Sequence, residues 1–229
     1  NHVVEADVDL KMERTQNRPI VTKVISVQVG MTFGAALVVL GGVVLWVFVN
    51  PLTSFLAILT TLLYVVVYTP LKLRSWYNTI VGAIPGALPP VGGWAAATGE
   101  IGFPAFLLFL IVFVWQLPHF YAVAWMCRED YMRAGFRMLS VMDETGARTS
   151  RQILINTVFL ILVSVFPYVF GLLGIVYLIG ALCLGVVFLW SGILFSRSKS
   201  RIHAVLILKL SVLYLVGLFA VIWIDLLLV

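Results

Sequence analysis

The sequence predicts an all-α membrane protein, a polytopic transmembrane helical bundle of about seven spans. Three observations carry this: 62% of the residues are hydrophobic, only 11% are charged, and the mean hydropathy is +1.09. Such values lie far outside the range of soluble globular domains. A helix needs roughly 20 apolar residues to cross the hydrocarbon core. Runs of that kind fall at about 24–49, 52–70, 77–97, 103–125, 153–173, 175–195 and 204–228. The strong period-2 alternation and dense turns of a membrane β-barrel are absent, which leaves a helical bundle to satisfy the backbone in lipid.

The third run contains "VGAIPGALPPVGGW", with three prolines among glycines. Proline removes helical hydrogen bonds, so this span reads either as a kinked cavity wall or as a helix packed closely through small residues. The fourth run holds His119, the only histidine placed within a span. Between Ile153 and Ser196 lie 44 residues without a charge, too many for one span, and Gly171 with Gly174 offers a turn between two. Near the ends of the last run, Lys209 is placed to snorkel to the surface and Asp225 to sit at the interface.

Of the fifteen Lys and Arg residues, all but Lys209 lie in the segments 11–23, 72–74, 128–151 and 197–201. Seven spans put these four segments on one side of the membrane. The net charge of +5 is therefore a topological signal, with the Asn1 end inside, and no nucleic-acid partner is expected. Cys127 and Cys183 show no CxxC spacing, so neither a disulfide nor a thiolate metal site is expected. No signal peptide is expected in a chain that opens inside a polar motif, and the lack of an initiator Met suggests a missing natural beginning.

Two acidic stretches break the apolar pattern. Glu5, Asp7, Asp9 and Glu13 fall in the first thirteen residues, and Glu129 and Asp130 stand in "CREDYMRAG". Charged flanks of spans are ordinarily solvated anchors. The positive-inside rule accounts for Lys and Arg, however, and not for four carboxylates in thirteen positions. If the opening stretch is helical, Asn1, Glu5 and Asp9 recur at i, i+4 and i+8 and share one side. Two carboxylates and an amide are hard oxygen ligands suited to Mg²⁺. Arg14, Arg18, Lys72 and Arg74 offer the positive charge a diphosphate requires, with Arg74 open to a second reading as a flanking charge.

The pattern N-x-x-x-E-x-D-x-D followed by R-T-x-x-R-P resembles the first aspartate-rich motif of the UbiA superfamily of intramembrane prenyltransferases. "YTPLKLRSWYNTIVGAIPGALPPVGGW", "WQLPHF" and "REDYMRAGFRMLSV" follow in the family's order. "PGALPP" and "WQLPHF" resemble the branch that farnesylates protohaem IX, the haem O synthases, more than the quinone and chlorophyll branches. Two departures stand out: His2 replaces a family Asp, and Glu5 replaces another while keeping a carboxylate. The complete family fold has nine spans. The resemblance therefore implies one transmembrane prenyltransferase domain over 1–229, lacking an N-terminal two-helix hairpin.

That resemblance implies transfer of a farnesyl group from farnesyl diphosphate to a vinyl group of haem B, giving haem O, with Mg²⁺ as cofactor and haem as substrate. It implies Asn1, Glu5 and Asp9 at one metal site and Glu129 and Asp130 at a facing one. Asp130 is the candidate ligand of that second pair, although which of the two touches metal stays open. By the same resemblance Glu5, Asp9, Glu129 and Asp130 are expected to carry the catalysis, and Arg14, Arg18 and Lys72 to grip the diphosphate, with Tyr68 and Asn78 nearby. His119, in "WQLPHF", is a candidate haem ligand, the alternative being a buried histidine hydrogen-bonded to a neighbouring helix. Glu129 lies ten residues on, about 15 Å along a continuous helix. Implied partners are the lipid bilayer and a downstream haem A synthase or terminal oxidase assembly. The setting is a bacterial inner membrane, with a mitochondrial inner membrane the alternative, and the acidic motifs face cytoplasm or matrix.

Other functions fit less well. Another UbiA-type aromatic or quinone-precursor prenyltransferase is the nearest. A seven-span receptor has the opposite orientation, and a secondary transporter predicts ionisable groups at the midplane and internal repeats, neither of which is seen.

Overall fold

The computed structural model describes residues 1–228. In chain order the elements are α1 (Ala6–Asp9), α2 (Val27–Phe48), α3 (Pro51–Leu62), a π-helical segment (Leu63–Tyr68), α4 (Thr69–Arg74), α5 (Asn78–Thr98) and α6 (Phe103–Met126). They continue with α7 (Arg128–Ala134), α8 (Leu139–Met142), α9 (Ala147–Val169), α10 (Ile175–Ser198) and α11 (Arg201–Leu228). Among the described residues, seven helices are long and apolar enough to cross a membrane, and they fall where the hydropathy places them; α3, the π-helical segment and α4 make one span, Pro51–Arg74. Many of their apolar side chains are exposed, among them Phe33, Trp46, Phe106, Val186 and Leu213, as a lipid-facing surface requires.

The described residues form two compact units, 1–101 with 127–142, and 102–126 with 143–228. In the first, α2 packs on α3 and α3 on α5. The hydroxyl of Ser26 caps α2 by accepting the Val29 N–H, and the Asn50 side chain caps α3 by accepting the Thr53 N–H ahead of Pro51. Gly42 is the only buried residue of α2. Its carbonyl accepts from Ser54 Oγ at 2.7 Å, and an added Cβ would sit 3.1 Å from Ile58, so the contact is a close approach through a small residue. The proline-rich span is a single unbroken helix, α5, with Pro85, Pro89 and Pro90 inside it.

In the second unit α6 packs on α9 and α11, and α10 packs on the same two, so four spans close a ring. Inside it Ser164 Oγ lies 2.6 Å from Tyr214 Oη, and Tyr177 Oη donates to the Ser164 carbonyl, while the buried Tyr121 Oη has no hydrogen-bond partner among the described residues. Gly171, at φ +68°, makes the expected turn before α10. Asp225, expected without a partner, has two. It is buried and accepts the N–H groups of Gly174 and Tyr177, so a carboxylate from α11 caps the start of α10. Residue spacing within α11 carries no trace of that pairing.

Two boundaries differ from the apolar runs. α9 begins at Ala147, taking Arg148 and Arg151 into the helix ahead of the charge-free stretch, because Asp143 holds its start. The Asp143 carboxylate accepts the Thr149 N–H at 2.8 Å and the Thr149 hydroxyl at 2.9 Å. Burial pushes its pKa up, but hydrogen bonds from Thr149, Thr145 and Gly146 outweigh that and hold it below the usual carboxylate value. The second difference lies at Cys127, whose φ of −100° and ψ of 18° interrupt the chain between α6 and α7. His119 and Glu129 therefore do not share one continuous helix, and the spacing of about 15 Å expected on that basis does not apply.

Candidate active site

All but one of the residues expected at the site belong to the first unit, and its opening segment shows how short-range geometry sets them up. Only Ala6–Asp9 is regular helix, yet the Glu5 N–H donates to the Asn1 carbonyl at 3.0 Å and the Asp9 N–H to the Glu5 carbonyl at 2.7 Å. These i to i+4 bonds put Asn1, Glu5 and Asp9 on one side of the turns. Glu5 and Asp9 end up only 6% and 1% exposed. Asp7, between them, points to solvent.

Buried carboxylates need partners. Glu5 Oε1 accepts from Lys72 Nζ at 2.8 Å, and its Oε2 accepts from Asn1 Nδ2 at 2.9 Å. Asp9 Oδ2 accepts from Arg18 at 2.6 Å, while Oδ1 is buried with no hydrogen-bond partner. Two cations expected to grip a diphosphate thus lie against two acids expected to hold a metal. Among the described residues, no three His, Cys, Asp or Glu side chains converge on a common point.

Lys72 arrives here through the irregular second span. The π-helical turns of Leu63–Tyr68 precede Pro70, which cannot donate a backbone hydrogen bond, and the Thr69 hydroxyl lies 2.9 Å from the Tyr64 carbonyl and 3.0 Å from Asn1 Oδ1. The Lys72 ammonium sits 4.7 Å from the Tyr68 ring centroid and 5.8 Å from that of Phe136. Tyr68 in turn fits against Gly82, where a Cβ would come within 2.5 Å of the ring.

The second acidic segment is tied to the same place. The Arg137 N–H donates to the Lys72 carbonyl at 2.8 Å, and the Asn78 amide donates to the carbonyls of Ser75 and Arg137. Asn78 was expected beside a phosphate; both of its N–H groups go instead to the backbone that holds this loop. Arg133 pairs with Asp130 one turn earlier on α7 and reaches Glu13 of the opening segment at 3.2 Å. Glu129 and Arg14 are exposed. Burial pushes the Tyr131 phenol up, as do Cys127, Glu5 and Asp130, against the opposing pull of Arg14.

The structure thus brings Asn1, Glu5, Lys72 and Tyr68 into one contacting group, sets the Asp9–Arg18 pair next to it through the Asp9 N–H to Glu5 carbonyl bond, and ties Asp130 through Arg133 to Glu13 of the same opening segment. Sequence reasoning missed Thr69, Phe136 and Arg133. Only Arg133 had a local signal, its i+3 spacing from Asp130 on a helix. His119 stands in the second unit, its Nδ1 2.7 Å from Ser211 Oγ.

Comparison with known proteins agrees with this arrangement of motifs. The model of the UbiA prenyltransferase family matches residues 1–213. The protoheme IX farnesyltransferase of Solibacter usitatus is 44% identical over 225 residues, covering 98% of this chain and 77% of that protein. The protoheme IX farnesyltransferase of Koribacter versatilis is 39% identical over 232 residues, covering 98% of this chain and 75% of its own. A solved chain from work on digeranylgeranylglyceryl phosphate synthase in membranes superposes with a TM-score of 0.77 at 18% identity, over 98% of this chain and 78% of that one, a likeness of fold. With a family match over nearly its whole length, two such relatives and a helical fold in common, the chain belongs to the UbiA prenyltransferase family.

Proposed function

We propose that this chain is a transferase that moves the farnesyl group of farnesyl diphosphate onto a vinyl group of protohaem IX, giving haem O. The observation that carries the reading is identity of 39–44% over 98% of the chain to relatives named for that reaction. The buried acid and base pairs of the first unit supply the chemistry. In the reaction the C1–O bond of the allylic diphosphate breaks and its electron pair leaves with diphosphate. The vinyl π electrons form the new C–C bond at C1, and water captures the resulting cation and loses a proton to give the hydroxyethylfarnesyl side chain.

Family members generally use a divalent metal to ionise the diphosphate, and Mg²⁺ is the ion proposed here. The donor set fits a hard cation: Asn1, Glu5 and Asp9 present an amide and two carboxylates, and the unpaired, buried Asp9 Oδ1 is an acceptor that the protein itself leaves unmet. Asn1, Glu5 and Asp9 would hold the ion, joined by Asp130 or Glu129 from the second segment. When bound, it supplies positive charge against the growing charge of the leaving group. Lys72 and Arg18 hold the two buried carboxylates by ion pairing, and they turn from these to phosphate oxygens when substrate enters. Arg14 adds charge from the exposed rim, and Tyr68 keeps the Lys72 ammonium in place by offering its ring face. Asn78 anchors the second acidic loop.

The test is direct. Membranes containing the protein, given haem B, labelled farnesyl diphosphate and Mg²⁺, yield an extractable farnesylated haem. Label recovered in an added quinone precursor and none in haem would assign the chain to another branch.

The seven spans and family place the protein in a membrane; the bacterial inner membrane, with both acidic segments facing the cytoplasm, is our proposal. Cys127 tests it, since it lies at the end of α6 and is half-buried. With Cys183 replaced, a membrane-impermeant thiol reagent labels Cys127 from the inner side only. Labelling from the outer side would invert the orientation.

A further inference from the structure

We propose that the His119 imidazole receives the haem iron through Nε2, and that Ser211 is a positioning residue that fixes the tautomer needed for it. The inference rests on haem being the acceptor, as proposed above. Ser211 Oγ lies 2.8 Å from the Leu208 carbonyl and 2.7 Å from His119 Nδ1. A serine hydroxyl has one proton, and a carbonyl can only accept. Both contacts are hydrogen bonds only if Ser211 donates to Leu208 and accepts from His119, so the proton of the neutral imidazole is on Nδ1. The lone pair is then on Nε2. That is the arrangement seen at metal-bound histidines, whose other ring N–H is almost always donated to a fixed acceptor.

Two features separate this from an ordinary helix-packing bond. The Trp115 indole already ties α6 to α11, donating from Nε1 to the Ser211 carbonyl at 2.7 Å, so packing does not need the histidine. His119 Nε2 has no hydrogen-bond partner among the described residues, yet it is not one of the atoms sealed from the surface. An ionisable group kept inside a span with an unmet nitrogen marks function more often than packing. The ring is also held still, stacked on Trp115 at a centroid distance of 5.0 Å and met edge-on by Phe120 at 5.1 Å. These contacts fix the ring plane without involving Nε2.

The identity of the acceptor suits a substrate. A carboxylate on Nδ1–H would make the imidazole a stronger donor to iron and a more permanent ligand. A neutral hydroxyl that passes its own proton to a carbonyl orients the ring with less push. The ligand can hold haem during transfer and then release the product.

Ferric protohaem is titrated into the detergent-solubilised protein, with its absorption and electron paramagnetic resonance spectra recorded. Wild type shows imidazole-ligated iron; His119→Ala loses that signature and regains it when free imidazole is added. Ser211→Ala keeps the Trp115 tie, which uses the backbone, and keeps the ligated spectrum, but haem affinity falls about 10–100-fold. Ser211→Thr, which retains a hydroxyl, restores most of it. Unchanged spectrum and affinity in His119→Ala overturn the ligand, and unchanged affinity in Ser211→Ala overturns the positioning role. Mg²⁺-dependent binding of farnesyl diphosphate, measured in parallel, persists in each variant and reports that the fold is intact. Failure of the prenyl-transfer reading looks different: wild-type protein shows imidazole-ligated iron and yields no farnesylated haem.

Discussion

Asp9→Asn is expected to lower farnesyl transfer by at least about 100-fold, the scale on which loss of one charge-stabilising group in a closed site acts. Asp9 is 1% exposed, with one oxygen on Arg18 and the other unpaired. Asparagine keeps the shape and can still accept from Arg18, but it removes the charge that a hard cation requires. The bland alternative is that Asp9 only anchors Arg18 and so holds the opening segment in place. That role would survive amidation in part and would appear as a lowered melting temperature. The metal role predicts a different pattern: melting close to wild type, haem binding retained, and loss of the Mg²⁺ dependence of farnesyl diphosphate binding. Substantial transfer activity in Asp9→Asn would sink the assignment of Asp9 to the metal. Asp130→Asn is held to the same standard, and Glu5→Gln to loss of transfer and of Mg²⁺ dependence alone, because it also strands the buried Lys72 ammonium.

What could be read from the sequence and what could not divide by range. The spans are local statements about solvent, so hydropathy located all seven, and Gly171 marked the turn inside the long charge-free run. The stacking of Asn1, Glu5 and Asp9 was legible because i to i+4 spacing is a property of any helical turn, even in a segment with only four regular residues. What those side chains touch was not legible. Lys72 is 67 residues from Glu5, and nothing in the spacing of either segment says that the ammonium rests on the carboxylate. Both were assigned by chemistry to different ligands, Lys72 to phosphate and Glu5 to metal. The structure shows them on each other, an arrangement in which each buried charge neutralises the other. Asp225 is the same lesson in the second unit: a carboxylate near a chain end read as interfacial, because its partners lie about fifty residues earlier, at Gly174 and Tyr177.

That pairing makes Lys72→Ala the second large effect. The Lys72 and Glu5 side chains are 11% and 8% exposed, so removing the ammonium leaves a desolvated carboxylate with only Asn1 for company. Stranding one member of a buried pair costs about 3–5 kcal/mol, whereas removing both charges together costs far less. Lys72→Ala is therefore expected to melt well below wild type, and Lys72→Ala with Glu5→Gln to recover most of that loss. Activity must not follow stability. If Lys72 also grips diphosphate, the double variant folds but binds farnesyl diphosphate weakly, because restoring charge balance does not restore a phosphate contact. A double variant that regains both melting temperature and substrate affinity would make Lys72 a counter-ion and nothing more. A single variant indistinguishable from wild type in both measurements would remove the buried pair from the account altogether. Mg²⁺ gives a third readout, since a divalent ion beside Glu5 replaces the missing ammonium as counter-charge. It should raise the melting temperature of Lys72→Ala more than that of wild type, in which the ion has to displace the lysine first.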